Sequence, residues 1–142
     1  MSHYTKMSIA AQQKYEAELI SALKNHFGEK AVESCGDKKQ KLKDWQGQDT
    51  SMKANIIIRK KDLGKKIGRS VLANDLGYER NKDGGYDVHV DAAGFPQSDQ
   101  DLVAKFYADK VATKQLKAQG YQVKRAELAT GEVELVGTRY AG

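Results

Sequence analysis

Asp87, His89 and Asp91 alternate along the stretch Tyr86-Asp87-Val88-His89-Val90-Asp91. Side chains of a strand point to opposite faces in turn, so these three would project together. Two carboxylates and an imidazole form a donor set for a divalent cation. The same alternation also marks a sheet with one solvated face, so no metal is expected, and these three are the alternative ligand set. Gly64-Lys65-Lys66-Ile67-Gly68-Arg69-Ser70 has the glycines and cations of a phosphate-cradling loop. A nucleotide-hydrolysing loop needs four residues between its glycines, then Lys and Ser or Thr; here three intervene and Arg follows. His3 and His26 have no Asp or Ser at motif spacing, and Cys35 has no Cys-His signature. No catalytic residue and no cofactor is therefore assigned.

Charge is the stronger signal. Residues 38–69 hold eleven Lys or Arg against three Asp, a local +8, while the remainder of the chain is −3. A positive field concentrated in one segment suits an anionic partner, either nucleic acid or an acidic protein. The residues read as nucleic-acid-binding are Lys38, Lys39, Lys41, Lys43, Lys60, Lys61, Lys65, Lys66 and Arg69, with Trp45. Trp45 and Tyr78 lie near the basic stretch 64–70 in sequence, and aromatics among cations can stack bases while the charges hold the backbone. The competing reading makes the lysines a solvated face and Trp45 the anchor of a loop. A non-enzymatic binding or accessory protein is expected. A protein-interaction adaptor is the second reading and a metal-dependent enzyme the third.

A chain of 142 residues fits one domain, 1–142, with a basic, loop-rich segment at 36–73. The longest apolar run, Ile56-Ile57-Ile58, is far short of the roughly 20 residues that span a bilayer. A lone Cys35 and an N-terminus without a basic region followed by an apolar stretch lead to the expectation of a cytoplasmic protein.

The elements that must position these residues follow from periodicity. His3 to Ile9 alternates as an opening strand, and Ala10 to Phe27 carries Tyr15, Leu19, Ala22, Leu23 and Phe27 at helical spacing. Ala31 to Cys35 is a short strand, Gly36 to Lys53 a mobile loop, and Lys53 to Arg59 a central β-branched strand. Lys60 to Ser70, punctuated by Gly64 and Gly68, reads as an irregular excursion. Leu76–Arg80 and Tyr86–Asp91 flank Asp83-Gly84-Gly85 as a hairpin. Ser98 caps a helix running to about Gln119, and a hairpin turning at Thr130-Gly131 closes the chain. The predicted core is Leu19, Leu23, Phe27, Ile56, Ile58, Val88, Val90, Phe106, Val111, Val123, Leu135 and either Val133 or Val136. The fold class is α+β: a two-layer sandwich of two helices on a mainly antiparallel sheet, open to a ferredoxin-like arrangement with extra strands.

Four groups of residues occur in an order that resembles the hypothetical chloroplast reading frame thirty-five family. They are Met1-Ser2-His3-Tyr4; Trp45-Gln46-Gly47-Gln48 running into Ala54-Asn55-Ile56-Ile57-Ile58-Arg59; Asp75-Leu76-Gly77-Tyr78 with Asp83-Gly84-Gly85-Tyr86 and Asp91; and Phe106-Tyr107-Ala108 with Gly120-Tyr121-Gln122-Val123, Gly131 and Arg139. The resemblance covers nearly the whole chain. It departs at the basic stretch from Lys60 to Ala73 and at Ala92-Ala93-Gly94, where the family pattern has aromatics. What the resemblance implies is an intracellular or plastid protein from a plastid, a cyanobacterium or a cyanophage, in the last case working in the host cytoplasm and in the first in the plastid stroma. It implies no established activity.

Overall fold

Three consecutive isoleucines can all be buried in a strand only if both of its faces are covered. In the computed structural model, which describes residues 4–9, 11–68, 72–127 and 133–139, Ile56–Ile58 forms such a strand, β5, with all three side chains at 0% exposure. Its sheet also contains β1 (Thr5–Ile9), β2 (Val32–Ser34), β6 (Leu76–Arg80) and β7 (Tyr86–Val90). The order is β1-β7-β6-β5-β2, antiparallel throughout. Ile56, Ile58, Leu76, Tyr78, Val88 and Val90 face a helical layer, and Ile57 and Gly77 face the other way.

The helical layer holds α1 (Glu16–Phe27), entered through one 3-10 turn at Gln13–Tyr15, and α3 (Gln97–Ala118). Leu19, Ala22 and Leu23 of α1 and Val103 of α3 are buried on the sheet. Phe27, Phe106 and Val111 are half-buried. A separate hairpin of β8 (Tyr121–Glu127) and β9 (Val133–Arg139) packs beside α3. Val123 is half-buried there and Val136 is exposed, while the side chains of Val133 and Leu135, like residues His3, Arg69 and the Thr130-Gly131 turn, lie outside the described residues. The α+β sandwich is as expected, but the order is not ferredoxin-like: among the described residues β1 sits at an edge, paired with β7 alone, and β2, β5, β6 and β7 form a meander. No helix among the described residues is long and apolar enough to cross a membrane.

Within the segment expected to be loop-rich, two strands and a helix form. Gln40–Lys43 (β3) and Asp49–Ala54 (β4) pair as a hairpin, and Lys60–Ile67 is a third helix, α2. The hairpin escaped the sequence because Leu42 is the only fully buried residue of β3, too little to display a period of two. Leu42 and Ala54 nonetheless cover Ile57 on the second face of the sheet. Gly64 is a buried helical residue, and only Gly68, left-handed at φ 83°, ends α2 by donating to the carbonyls of Gly64 and Lys65. Nor does Ser98 cap α3: the helix begins at Gln97 behind Pro96, whose carbonyl accepts from Asp99 and Gln100.

Gly77 is what lets the hairpin touch the sheet. A Cβ there would lie 2.7 Å from Leu42 Cδ1 and 2.8 Å from the Ala54 Cβ. Gly77→Ala should therefore destabilise the fold by about 1–3 kcal/mol, read as a lower urea midpoint, because both obstacles sit in a packed cluster.

His26 joins the two long helices, its Nε2 2.8 Å from Asp99 Oδ1. Burial penalises the charged ring and holds its pKa below the ordinary value, with Lys66 acting in the same direction and Asp99 against it. The unfolded chain then takes up this proton at a higher pH than the folded one. His26 stabilisation should be complete above about pH 6.5 and decline as the pH falls below it. Melting temperatures at pH 7.5 and 5.5 should diverge more in the native chain than in His26→Gln.

Candidate nucleic-acid interface

Immediately outside the ends of β5, β6, β7 and β1 stand Arg59, Asp75, Asp91 and Tyr4. Since Ile58, Leu76 and Val90 face the helices, alternation turns the first three toward the hairpin. Asp75 is 1% exposed and organises the group. Its Oδ2 accepts from the Lys43 amide and from Arg59 Nη1, each at 2.8 Å, and its Oδ1 accepts from the Lys60 amide at 2.9 Å. The first contact fixes the end of β3. The third satisfies the first free N–H of α2, a helix with no side-chain cap of its own. Arg59 extends the bracing, donating Nε to Glu33 at 2.6 Å and Nη1 to the Lys41 carbonyl at 3.1 Å. Burial works against its charge, yet hydrogen bonds to Asp75 and Glu33 raise its pKa further.

A second tier holds the hairpin tip. Asp91 accepts from the Asn74 amide at 2.9 Å and the Ala93 amide at 3.1 Å. Asn74 Oδ1 accepts from the Trp45 amide, and Lys60 Nζ donates to the Trp45 carbonyl, both at 2.8 Å. Asp44 Oδ1 closes the turn on the amides of Gln46 and Gln48. Tyr4 donates its hydroxyl to the Lys43 carbonyl at 3.3 Å. Burial, followed by the carboxylates of Asp75 and Asp91, pushes its phenol far above the usual range and keeps it a neutral donor.

On this scaffold the basic residues fall into two groups and two exceptions. Lys41 and Lys43 lie on the outer face of the hairpin, and Lys41 is directly opposite Lys53. Lys61, Lys65 and Lys66 are exposed on α2, Lys65 3.8 Å from Asp62, and Lys38 is exposed in the turn before β3. Lys39 is held by Glu79 at 3.0 Å, and Lys60 spends its ammonium on Trp45. Trp45 is half-buried at the hairpin tip. Tyr78, however, is buried on the helical face and is no part of this surface. Lys53 was missed because its placement opposite Lys41 is a matter of register. Asp75 was missed because one carboxylate between a loop and a strand has no periodicity to betray it.

Asp87, His89 and Asp91 do share a face, but they do not converge on a common point. Asp87 pairs with Lys6 at 3.2 Å, His89 Nε2 lies 2.9 Å from Glu79 Oε1, and Asp91 binds backbone amides. No three His, Cys, Asp or Glu side chains gather as a metal site among the described residues. Burial works against the charge of Glu79, but hydrogen bonds from His89 and Lys39 bring its pKa below the usual range. Cys35 is half-buried, with its thiol pushed up by burial, which disfavours the thiolate a nucleophile needs.

Fold and site together define an α+β sandwich with a basic hairpin and a basic helix bolted to one end of its sheet by a buried acid. The chain matches the family described as "Protein of unknown function (DUF1257)" over residues 32–136, and it belongs to that family. Neither a curated protein nor a solved structure matches it. The matched stretch runs from β2 into β9 and takes in Arg59, Asp75 and Asp91.

Asp75→Asn removes the charge that Arg59 and two amides share. The expected loss is about 3 kcal/mol or more. Hydrogen exchange should locate it, with the Lys43 and Lys60 amides losing protection ahead of the β6–β7 amides.

Proposed function

We propose that this protein is a non-enzymatic nucleic-acid-binding protein whose contact surface is the outer face of the β3–β4 hairpin together with the exposed side of α2. The reading is supported above all by the pairing of Lys41 with Lys53. Two ammonium groups directly opposite each other on an exposed ladder repel, which makes the pair a cost to the isolated fold. No carboxylate is bonded to either ammonium among the described residues. A phosphate lying between them would turn that repulsion into attraction. Lys43, Lys61, Lys65 and Lys66 extend the field on two elements whose relative position Asp75 fixes, Lys38 adds to it from the turn before β3, and the half-buried Trp45 at the hairpin tip lies within the same segment. Contacts of this kind grip the backbone without reading bases, so little sequence preference is expected.

Fluorescence anisotropy with a short duplex and a single strand tests the reading. Each neutralised phosphate adds about 0.9 to the magnitude of the log–log salt slope on duplex. Lys41→Glu with Lys53→Glu should reduce that slope by about 2 and weaken binding to every sequence alike. Melting should scarcely change, because exposed charges contribute only about 0–1 kcal/mol. Absence of binding by the native chain at low salt would sink the proposal. Capture of a polyglutamate chain in place of nucleic acid would reassign the surface to an acidic protein partner.

A further inference from the structure

The opposite face of the sheet carries a second feature, which depends on none of these lysines. Between α1, α3 and the sheet lies a cleft of about 390 Å³. Its walls are Leu19 of α1, Val88 of β7, Phe95, and Val103 and Tyr107 of α3, with Tyr78 of β6 contributing a phenol. Protein interiors are packed to the density of organic crystals and leave few voids larger than a water molecule. This cleft opens to solvent, and its size and mainly apolar lining are those of small-molecule sites. Exposed Ala104 and Ala108, one turn apart on α3, line it with small side chains.

Tyr78 says what kind of occupant. The residue is 3% exposed and lines the cleft, its ring set edge-on to Tyr86 at 6.4 Å. Tyr86 donates its hydroxyl to Glu16 at 2.9 Å, and the Tyr107 hydroxyl accepts from the Gln12 amide at 3.0 Å. The Tyr78 hydroxyl makes no hydrogen bond to a described residue, and since it is not one of the fully buried polar atoms left unpaired, its oxygen stays accessible. Burial raises its pKa, so it is a neutral group able to donate one hydrogen bond and accept another. The remaining polar lining is Gln97, Gln100 and Asp101. Gln97 is turned to Asp101 and Gln100 to the Phe95 carbonyl, each at 2.9 Å. Among the described residues no cation lines the cleft, and the one charged lining residue is an acid, which disfavours an anion.

We propose that this cleft is a binding site for a small, neutral, largely apolar molecule with one hydrogen-bonding group, held by the Tyr78 hydroxyl. A cavity of about 150 Å³ accommodates benzene, so this one has room for roughly 15 non-hydrogen atoms. Apolar burial supplies the affinity and the phenol selects the orientation.

Three probes of one shape separate these contributions: 2-naphthol, 2-methylnaphthalene and 2-naphthoate, titrated by ligand-observed NMR. The native chain should bind 2-naphthol about 3- to 10-fold more tightly than 2-methylnaphthalene, the value of one net hydrogen bond, and 2-naphthoate most weakly. Tyr78→Phe should abolish the preference for the naphthol and leave the hydrocarbon's affinity unchanged, which also shows that the cleft is intact. Ala104→Trp, at an exposed position, should keep the melting temperature and weaken both neutral probes at least tenfold. The proposal is overturned if the native chain binds neither neutral probe, if Tyr78→Phe keeps the preference, or if Ala104→Trp binds both as well as before. Because the lysine surface is untouched, nucleic-acid binding can succeed or fail independently.

Discussion

One buried carboxylate holds the functional end of this molecule together. Asp75 receives the Lys43 amide, the Lys60 amide and the Arg59 guanidinium within 2.9 Å. A charge removed from water is tolerable only when paired and hydrogen-bonded, and these three donors meet that condition between them. The donors come from two pieces of chain, the end of β3 and the adjacent Arg59 and Lys60 where β5 passes into α2, and Asp75 itself leads into β6. The acid that must be satisfied is thus the device that sets three segments in one geometry. Without it, the basic hairpin and the basic helix would have no common frame.

A second constraint is the two-sided burial of β5. Ile56 and Ile58 pack on the helices, whereas Ile57 requires a cover on the far side, supplied by Leu42 and Ala54 of the hairpin. Gly77 on the neighbouring strand removes the side chain that would hold that cover away. The sheet is therefore the middle layer wherever the hairpin lies, and the hairpin is attached by packing as well as by Asp75. Its outer face is left free to carry Lys41, Lys43 and Lys53.

The two faces of the sheet have consequently separated in chemistry. Polar rows lie on the hairpin's side of the sheet, where Glu79 and His89 pair with each other, Asp87 pairs with Lys6 and Asp91 binds backbone amides. The helical side is apolar, and α3 spans it without filling the space above Tyr78 and Val88. Alternation along β6 and β7 is the physical source of this division, since neighbouring residues on one strand serve opposite surfaces.

The strands β1, β6 and β7, the helix α1 and most of α3, together with the concentration of positive charge, were legible in the sequence. Their signals are local: an apolar period of two or 3.6, a turn rich in glycine, a run of lysines. Part of the core was equally plain, as Leu19, Leu23, Ile56, Ile58, Val88 and Val90 are all buried. The β3–β4 hairpin and α2 were not, because their apolar anchors are few and their caps come from elsewhere; Leu42 finds Ile57, and the Lys60 amide finds Asp75. The same limit governs the sites. That lysines crowd residues 38–69 is a property of the chain, but the confrontation of Lys41 with Lys53 is a property of register. The dispersal of Asp87, His89 and Asp91 among separate partners, and the unpartnered hydroxyl of Tyr78, likewise depend on neighbours brought in from distant elements. Periodicity tells a side chain which way to face, and only tertiary packing decides what it meets there.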